Sequence, residues 1–151
     1  MTRESALTHA QREMMALYSS QLNRCSYCVD SHACVLTSLG TAEEVVKSLS
    51  GISRTPVDDM MQAMLTFVKK LTLEPGNITT QDIEAVRTQG WVDQAIEDAI
   101  CVVSTFALVN RLVNGIGLIA SDEHFQQVGG MVAQQGYGPL VQMIQQEVNA
   151  V

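Results

Sequence analysis

Two cysteines, a histidine and a glutamate have the residue types and spacing of a redox site. The stretch NRCSYCVDSHACVL, residues 23–36, places Cys25 and Cys28 three positions apart and His32 four positions further on. On a helix, at about 100° per residue, these three side chains fall on one stripe. Helical side chains lean toward the N-terminus, so the imidazole of His32 lies over Cys28 and could take its thiol proton. Glu13, in the preceding predicted helix, could relay that proton or hold His32 in one tautomer.

The two cysteines could alternate between a dithiol and a disulfide. Residues three apart on a helix have Cβ atoms about 5–6 Å apart, and a disulfide needs about 3.5–4.5 Å. A modest tightening of the first helical turn would therefore let Cys25 and Cys28 bridge. We expect the helix N-terminus and the nearby imidazole to lower the thiol pKa below its usual value near 8.5. Thiolate is the species that attacks peroxides and disulfides.

The composition is that of a globular protein. With 46% hydrophobic and 17% charged residues, the 151-residue chain can bury a core, and we predict one domain over residues 1–151. Its net charge of −7 disfavours binding to nucleic acid or to an anionic membrane surface.

The first residues lack the features of a secretory signal, and the run AICVVSTFALV is too short to span a bilayer, so we expect a cytoplasmic protein. In that reducing compartment a Cys-x-x-Cys pair is typical of catalytic, redox or metal sites.

The elements that must position these residues are all predicted to be helices. Thr8 and Gln11 form a capping box for a helix that runs to about Leu22. The helix that carries the motif is predicted from an N-cap at Asn23 to a stop at Gly40. A further helix is predicted behind Thr55-Pro56, and the later ones are expected near residues 41–50, 80–89 and 93–114, with two more separated by GYGP. No alternating strand pattern of useful length occurs, so the fold class is all-α.

The pattern of Glu13, Cys25, Cys28 and His32 resembles the alkyl hydroperoxidase D-like branch of the carboxymuconolactone decarboxylase family. Redox members of that branch carry a Glu, a Cys-x-x-Cys and a His at this spacing. The later stretch STFALVNRLVNGIGL is similar to the long helix of the family, with its Asn-Arg pair followed by a glycine. The resemblance extends from about Thr8 to Leu118.

The resemblance implies a helical subunit that assembles into a homo-trimer or hexamer, with its site near subunit interfaces. It implies that Cys28 attacks a peroxide, that Cys25 resolves the sulfenic acid as a disulfide, and that Glu13 and His32 relay protons. The reductant would be a dithiol such as dihydrolipoamide or a lipoyl protein, acting as co-substrate, with no bound cofactor. Founding members have a histidine immediately before the second cysteine, where this chain has Tyr27. A phenol with a pKa near 10 relays protons poorly at neutral pH, so we expect slow peroxide turnover or a different oxidant.

Three alternatives stand beside the peroxidase hypothesis. The protein could be a redox adaptor that passes electrons to another peroxidase. It could bind zinc through Cys25, Cys28, His32 and Glu13, although three ligands from the first turns of one helix are awkward for a tetrahedral site. The cysteines could also be small core residues of a non-catalytic interaction protein. Outside the motif, we expect Cys34 and Cys101 to lie in the core, and the methionines to lie in the core or at a subunit interface. We expect His9 and His124 to face solvent.

Overall fold

The computed structural model describes residues 4–51 and 55–149. Within these residues it contains eight α-helices, one short 3-10 turn at Pro75–Asn77 and no strand, which confirms the all-α prediction. The helices, in chain order, are α1 His9–Leu22, α2 Ser26–Ser38, α3 Glu43–Gly51, α4 Asp59–Leu73, α5 Thr80–Arg87, α6 Asp93–Ile116, α7 Asp122–Gln135 and α8 Gly138–Asn149.

Helix α1 is the central element and packs against α2, α3, α4 and α6. It begins at the predicted capping box, in which the Thr8 side chain accepts from the backbone of Gln11 and the Gln11 side chain accepts from that of Thr8. Its fully buried side chains include Met15 and Leu17, which join Leu36 from α2 and Met64 from α4 in the core. This central position places Glu13 of α1 inside the protein.

Two predicted helix starts are wrong, and in each case a neighbouring residue makes the cap. Asn23 is the C-cap of α1, and the N-cap of α2 is Cys25. Thr55 and Pro56 lie in an irregular segment before α4, whose N-cap is Asp58. The Asp58 carboxylate accepts a hydrogen bond of 2.7 Å from the Met61 backbone, which satisfies a free N–H group of the first turn.

Helix α6 is the long apolar helix predicted from residue 93. Its 24 residues are long and apolar enough to cross a membrane by length and composition, so the apolar segment is longer than the run AICVVSTFALV suggested. Two buried polar residues of α6 bond to other parts of the protein. Asp98 accepts from Ser5 and from the Ala6 backbone, and Asn110 donates to Ser20 of α1. These contacts identify α6 as a packing helix of the bundle.

Helix α7 folds back onto α2 at very close range. A Cβ atom on Gly129 would lie 2.8 Å from Cβ of Cys34 and 3.1 Å from the backbone nitrogen of Val35. A glycine is therefore needed at this crossing, because any side chain would meet the backbone of α2. The close packing brings the beginning and the end of α7 to the helix that carries the cysteine motif.

Candidate functional site

Cys25 lies at the joint between α1 and α2. Its N–H donates to the carbonyl of Ser20 over 3.0 Å, and the N–H of Arg24 donates to that of Gln21 over 3.0 Å. These are the two bonds of a Schellman motif that ends α1. Arg24 has φ = 56°, in the left-handed region that glycine usually occupies and that costs another residue roughly 1–2 kcal/mol. Cys25 is also the N-cap of α2, so two helix ends fix its backbone.

The two thiols of the motif are free, buried and in direct contact. Sγ of Cys25 and Sγ of Cys28 share a hydrogen bond, and the two atoms are 2.9 Å apart. A disulfide bond is about 2.05 Å long, so the sulfur atoms must approach by less than about 1 Å to form one. This arrangement permits oxidation of the pair without unfolding of α2.

The thiol of Cys28 has a raised pKa, so the expectation of a lowered value is wrong for this cysteine. Burial is the largest cause, and the hydrogen bond and charge shared with Cys25 raise the pKa further. A hydrogen bond from the Asn110 side chain acts in the opposite direction by favouring the thiolate. Removal from water disfavours the charged form more than the helix N-terminus and Asn110 favour it. Cys28 is therefore a protonated thiol at neutral pH and needs a base before it can attack.

His32 lines the same cavity as Cys28 and is paired with Glu13. Nδ1 of His32 lies 2.7 Å from Oε2 of Glu13, and both side chains are buried. Because a carboxylate only accepts hydrogen bonds, Nδ1 of His32 donates to Glu13, which leaves Nε2 as the ring nitrogen that can exchange a proton with other groups. The ring of Phe106 meets the imidazole edge to face, with centroids 4.3 Å apart, and helps to fix its orientation. The antiparallel packing of α1 and α2 thus joins the two residues predicted as a relay.

Glu13 receives further donors that the sequence did not reveal. The hydroxyl of Tyr137 donates to Oε1 of Glu13 over 2.9 Å, and Nε2 of His9 lies 3.4 Å from the same oxygen. Burial alone raises the pKa of Glu13, but the hydrogen bonds and charge of His32, with His9 and Tyr137, outweigh it and lower the pKa to about 2. Glu13 is therefore ionised at neutral pH. The expectation that His9 faces solvent is wrong, because one turn of helix separates it from Glu13 and its Nε2 is buried.

A cavity of about 360 Å³ opens beside His32. Cys28 lines it and Cys25 does not, so a small molecule in the cavity meets the sulfur of Cys28 first. The other lining residues are polar near the motif and otherwise mainly apolar: Tyr27, Ser31, His32, Val35, Phe106, Val109, His124, Val128, Val132, Tyr137 and Leu140. The cavity suits a small, largely apolar molecule with one reactive polar group.

Tyr27 and His124 form a polar contact at the exposed side of the cavity. The hydroxyl of Tyr27 lies 3.3 Å from Nε2 of His124, and the ring of Phe125 packs against that of Tyr27 with centroids 5.2 Å apart. His124 is solvent-exposed, as expected, but it also lines the cavity. Ser121 caps α7 and accepts from the backbone N–H of His124, which fixes the place of the imidazole.

Three residues of the site carried only weak signals in the sequence. Tyr137 stands in GYGP, which indicated only a break between two helices. Asn110 was noted as half of an Asn-Arg pair, and the structure places it against Cys28, Ser20 and Asn23. His124 lies in a polar stretch that is typical of a solvated helix start.

The remaining cysteines lie outside the cavity. Cys34 is half-buried against Gly129 of α7. Cys101 is exposed, so its predicted place in the core is wrong: it lies on the outer side of α6, although the segment around it is apolar. Within residues 4–51 and 55–149, no three His, Cys, Asp or Glu side chains are arranged to hold a metal ion. The carboxylate of Glu13 is bonded to His32.

The comparisons with known proteins agree with this fold. The model of the carboxymuconolactone decarboxylase family matches residues 1–70, which include the whole motif. No curated protein sequence matches the chain. Among solved structures, the chain is similar to a peroxidase-related protein from Ralstonia eutropha JMP134, described as an alkylhydroperoxidase AhpD core, with 29% identity and a TM-score of 0.79 over 86% of this chain and 68% of that one.

Two further solved structures share the architecture. A peroxidase-related protein from Silicibacter sp. TM1040 has 28% identity and a TM-score of 0.77, over 85% of this chain and 68% of that one. A protein from Agrobacterium tumefaciens, whose description names antioxidant defence and AhpD, shares the fold with 24% identity and a TM-score of 0.69, over 77% of this chain and 80% of that one. Together, the family match over residues 1–70, the helical architecture and these neighbours support the similarity of the chain to the alkylhydroperoxidase D-like branch of the carboxymuconolactone decarboxylase family.

Proposed function

We propose that this protein is a thiol-dependent peroxidase that reduces alkyl hydroperoxides through the pair Cys25 and Cys28. One observation carries the proposal: the two free sulfur atoms are 2.9 Å apart, and of the two only that of Cys28 lines the cavity, together with His32, which is paired with the buried Glu13. The arrangement supplies a nucleophile, a base for its proton and a second thiol within reach. The decarboxylases that name the family act without such a pair, which favours redox chemistry here.

The first half-reaction oxidises Cys28. Nε2 of His32 takes the thiol proton, and the negative charge of Glu13 stabilises the imidazolium that forms. The thiolate attacks the outer oxygen of the peroxide, so that a sulfur–oxygen bond forms as the oxygen–oxygen bond breaks. Cys28 becomes a sulfenic acid, and the departing alkoxide takes up a proton and leaves as the alcohol.

The second half-reaction closes and then reopens the disulfide. Sγ of Cys25 attacks Sγ of the sulfenic acid, which forms the disulfide and releases water. A dithiol donor, such as dihydrolipoamide or a lipoyl protein, reduces the disulfide by two exchange steps and becomes a disulfide itself. No bound cofactor is required, because both electrons pass through the cysteines. This cycle suits antioxidant defence in a cytoplasmic setting, where dithiol donors are kept reduced.

The protein would act as a homo-oligomer, a trimer or a hexamer. The support is an apolar strip on the outside of α6 and the residues after it, in which large side chains are strongly exposed: Leu108, Leu112, Ile116, Leu118 and Ile119. Exposed apolar strips of this kind mark protein–protein contacts. We expect Leu112→Glu to give a smaller species in sedimentation, with Lys47→Glu, at an exposed position of α3 outside the strip, as the control. Unchanged sedimentation of Leu112→Glu would contradict this assembly surface.

A second function uses the same site, and the state of Cys28 favours it. A redox adaptor would exchange disulfides with a partner peroxidase and react little with peroxide itself. The raised pKa of Cys28 keeps the resting thiol protonated, which slows direct attack on peroxide. The two functions differ in the oxidant that closes the disulfide, and this difference can be measured directly.

The test treats fully reduced protein with one equivalent of tert-butyl hydroperoxide, alkylates the remaining thiols and measures the mass of the peptide that spans Cys25 and Cys28. We expect rapid loss of two hydrogens from that peptide. The loss should disappear in Cys28→Ser and slow about 100-fold in His32→Ala or Glu13→Gln, a typical contribution of a positioned acid–base group. The Cys101→Ser control changes an exposed thiol outside the cavity and should react like the wild type.

Two results would count against a peroxidase. If both thiols stay free with peroxide but oxidise with lipoamide or a protein disulfide, the protein is a redox adaptor. If purified protein holds stoichiometric zinc that blocks both thiols, the metal-binding alternative replaces both redox functions.

A further inference from the structure

We propose that Tyr27, held by His124, is the acid that protonates the departing alkoxide when Cys28 reduces an alkyl hydroperoxide. The inference rests on the proposed peroxidase function and deepens it. His32, paired with Glu13, takes the proton that Cys28 loses. Tyr27, held by His124, supplies the proton that the leaving group gains. In this scheme Tyr27 contacts the substrate and is a catalytic residue, whereas His124 acts through it and is a positioning residue.

The geometry places both residues in the wall of the cavity that Cys28 lines. Tyr27 and His124 line the cavity together with Cys28, and Tyr27 directly precedes Cys28 on α2. The contact between the Tyr27 hydroxyl and Nε2 of His124 joins α2 to the first turn of α7, across 97 positions of the chain. Phe125 packs edge to face against Tyr27, so the phenol is oriented from both sides.

The hydrogen-bonding capacity of a phenol fits this role. A hydroxyl can accept one hydrogen bond and donate another. When Nε2 of His124 carries a hydrogen and donates it to the Tyr27 oxygen, the phenol proton is free to point into the cavity. His124 is exposed to solvent, so it can replace that proton after each turnover.

The acidity of the phenol also fits. Burial, and secondarily the charge on Cys28, raise the pKa of Tyr27 above its usual value near 10, so the phenol stays protonated at neutral pH. An alkoxide is about as strong a base as hydroxide and a much stronger base than a phenolate, so proton transfer from a phenol to the alkoxide is favourable. In the balanced step, Cys28 gains the outer oxygen as a sulfenic acid and the alkoxide gains the Tyr27 proton. The phenolate is then reprotonated through His124, and sulfur supplies the two electrons that break the oxygen–oxygen bond.

Tyr137 is the second tyrosine that lines the cavity, but its hydroxyl hydrogen is already used in another hydrogen bond. Tyr137 donates its hydrogen to Oε1 of Glu13 over 2.9 Å, so that proton is not directed at the substrate. His32 is the remaining rival, because the imidazolium formed from the Cys28 proton could pass that proton on to the alkoxide. Rates of Cys28 oxidation with two different oxidants distinguish His32 from Tyr27 as the proton donor.

The test compares two oxidants that differ in their need for an acid. tert-Butyl hydroperoxide releases an alkoxide, whereas peracetic acid releases a carboxylate whose conjugate acid has a pKa of about 4 and which needs no proton. The measurement is the second-order rate of Cys28 oxidation in wild type, Tyr27→Phe and His124→Ala, by acid quench and peptide mass. We expect Tyr27→Phe to slow the alkyl hydroperoxide about 100-fold and peracetic acid less than threefold. His124→Ala should show the same selectivity with a smaller loss, and it should add nothing in the Tyr27→Phe background.

The Val128→Ala control alters the wall of the cavity without changing a polar group, so it should slow both oxidants alike. A Tyr27→Phe variant that slows both alike, or neither, overturns the proposal and leaves His32 as the proton donor. A wild type that reacts with neither oxidant contradicts the peroxidase function itself, so the two failures are distinguishable.

Discussion

The hydroxyl of Tyr137 donates a hydrogen bond to Oε1 of Glu13 across 124 positions of the chain, over 2.9 Å. This bond ties the segment between α7 and α8 to the buried carboxylate that orients His32. The pKa of Tyr137 is raised, first by burial and then by the charge of Glu13, so the phenol keeps its proton and remains a donor.

Tyr137→Phe removes that donor and keeps the ring. A hydrogen bond to a charged group contributes about 1.5–3 kcal/mol, so we expect the free energy of unfolding to fall by about 2 kcal/mol in urea titrations at pH 7. Tyr18→Phe, which changes a buried tyrosine on the helix of Glu13, is the matched control and should lose less than about 0.5 kcal/mol. Equal losses in the two variants would mean that the bond to Glu13 contributes little.

The lowered pKa of Glu13 predicts a stability that depends on acid pH. The pKa of Glu13 falls from 4.5 to about 2 on folding. Its ionised carboxylate therefore stabilises the folded state above about pH 4.5, and this contribution is lost as the pH falls toward about 2. The shift corresponds to about 3 kcal/mol. The difference in unfolding free energy between wild type and Glu13→Gln should therefore be largest near neutral pH and shrink from about pH 4.5 to about pH 2. A difference that stays constant over this range would contradict the ionised, hydrogen-bonded state of Glu13.

Gly129 should not tolerate even one methyl group. In Gly129→Ala the added Cβ would lie 2.8–3.1 Å from Cys34 and from the backbone of α2, so α7 must move away. We expect a loss of about 1–3 kcal/mol, a usual cost of overpacking, and slower oxidation of Cys28 because α7 carries His124. Gly130→Ala is the adjacent control: its Cβ would meet nothing within 4 Å, and alanine is the better helix former, so this variant should gain about 0.5–1 kcal/mol. Similar unfolding midpoints for the two variants would contradict the close crossing.

Asn110 should affect the reactivity of Cys28 as well as stability. Its side chain favours the Cys28 thiolate, donates to Ser20 over 3.0 Å and accepts from Asn23 over 3.0 Å. In Asn110→Ala we expect the pH profile of Cys28 alkylation to move to higher pH and the unfolding free energy to fall by about 1–3 kcal/mol. The measurement is iodoacetamide labelling followed by peptide mass, in a Cys25→Ser background. An unchanged profile with lowered stability would assign Asn110 a purely structural role.

The sequence predicts those parts of the site that depend on local spacing. Cys25, Cys28 and His32 share one stripe near the start of α2, and Glu13 reaches His32 because a short connection returns α2 alongside α1. Their contacts follow from helical geometry, so the motif could be located without coordinates.

The features that the sequence did not predict depend on distant packing. Tyr137 meets His32 and Glu13 only because α7 folds back onto α2, more than a hundred positions away along the chain. The direction of the Cys28 pKa shift follows from how completely the surrounding helices exclude water, which spacing along one helix does not reveal. The exposure of Cys101 was also missed, because the apolar segment around it had indicated a buried position.

At the joint between α1 and α2, the same residue, Cys25, takes part in a helix-end hydrogen bond and in the contact between the two thiols. Helix ends are where amide hydrogens usually exchange fastest, because terminal turns open without global unfolding. Here the N–H of Cys25 is held by the carbonyl of Ser20, and the sulfur of the same residue is held against Cys28. One local opening at this joint releases both the amide and the thiol. Deuterium uptake at Cys25 and the alkylation rate of its sulfur should therefore report the same opening equilibrium.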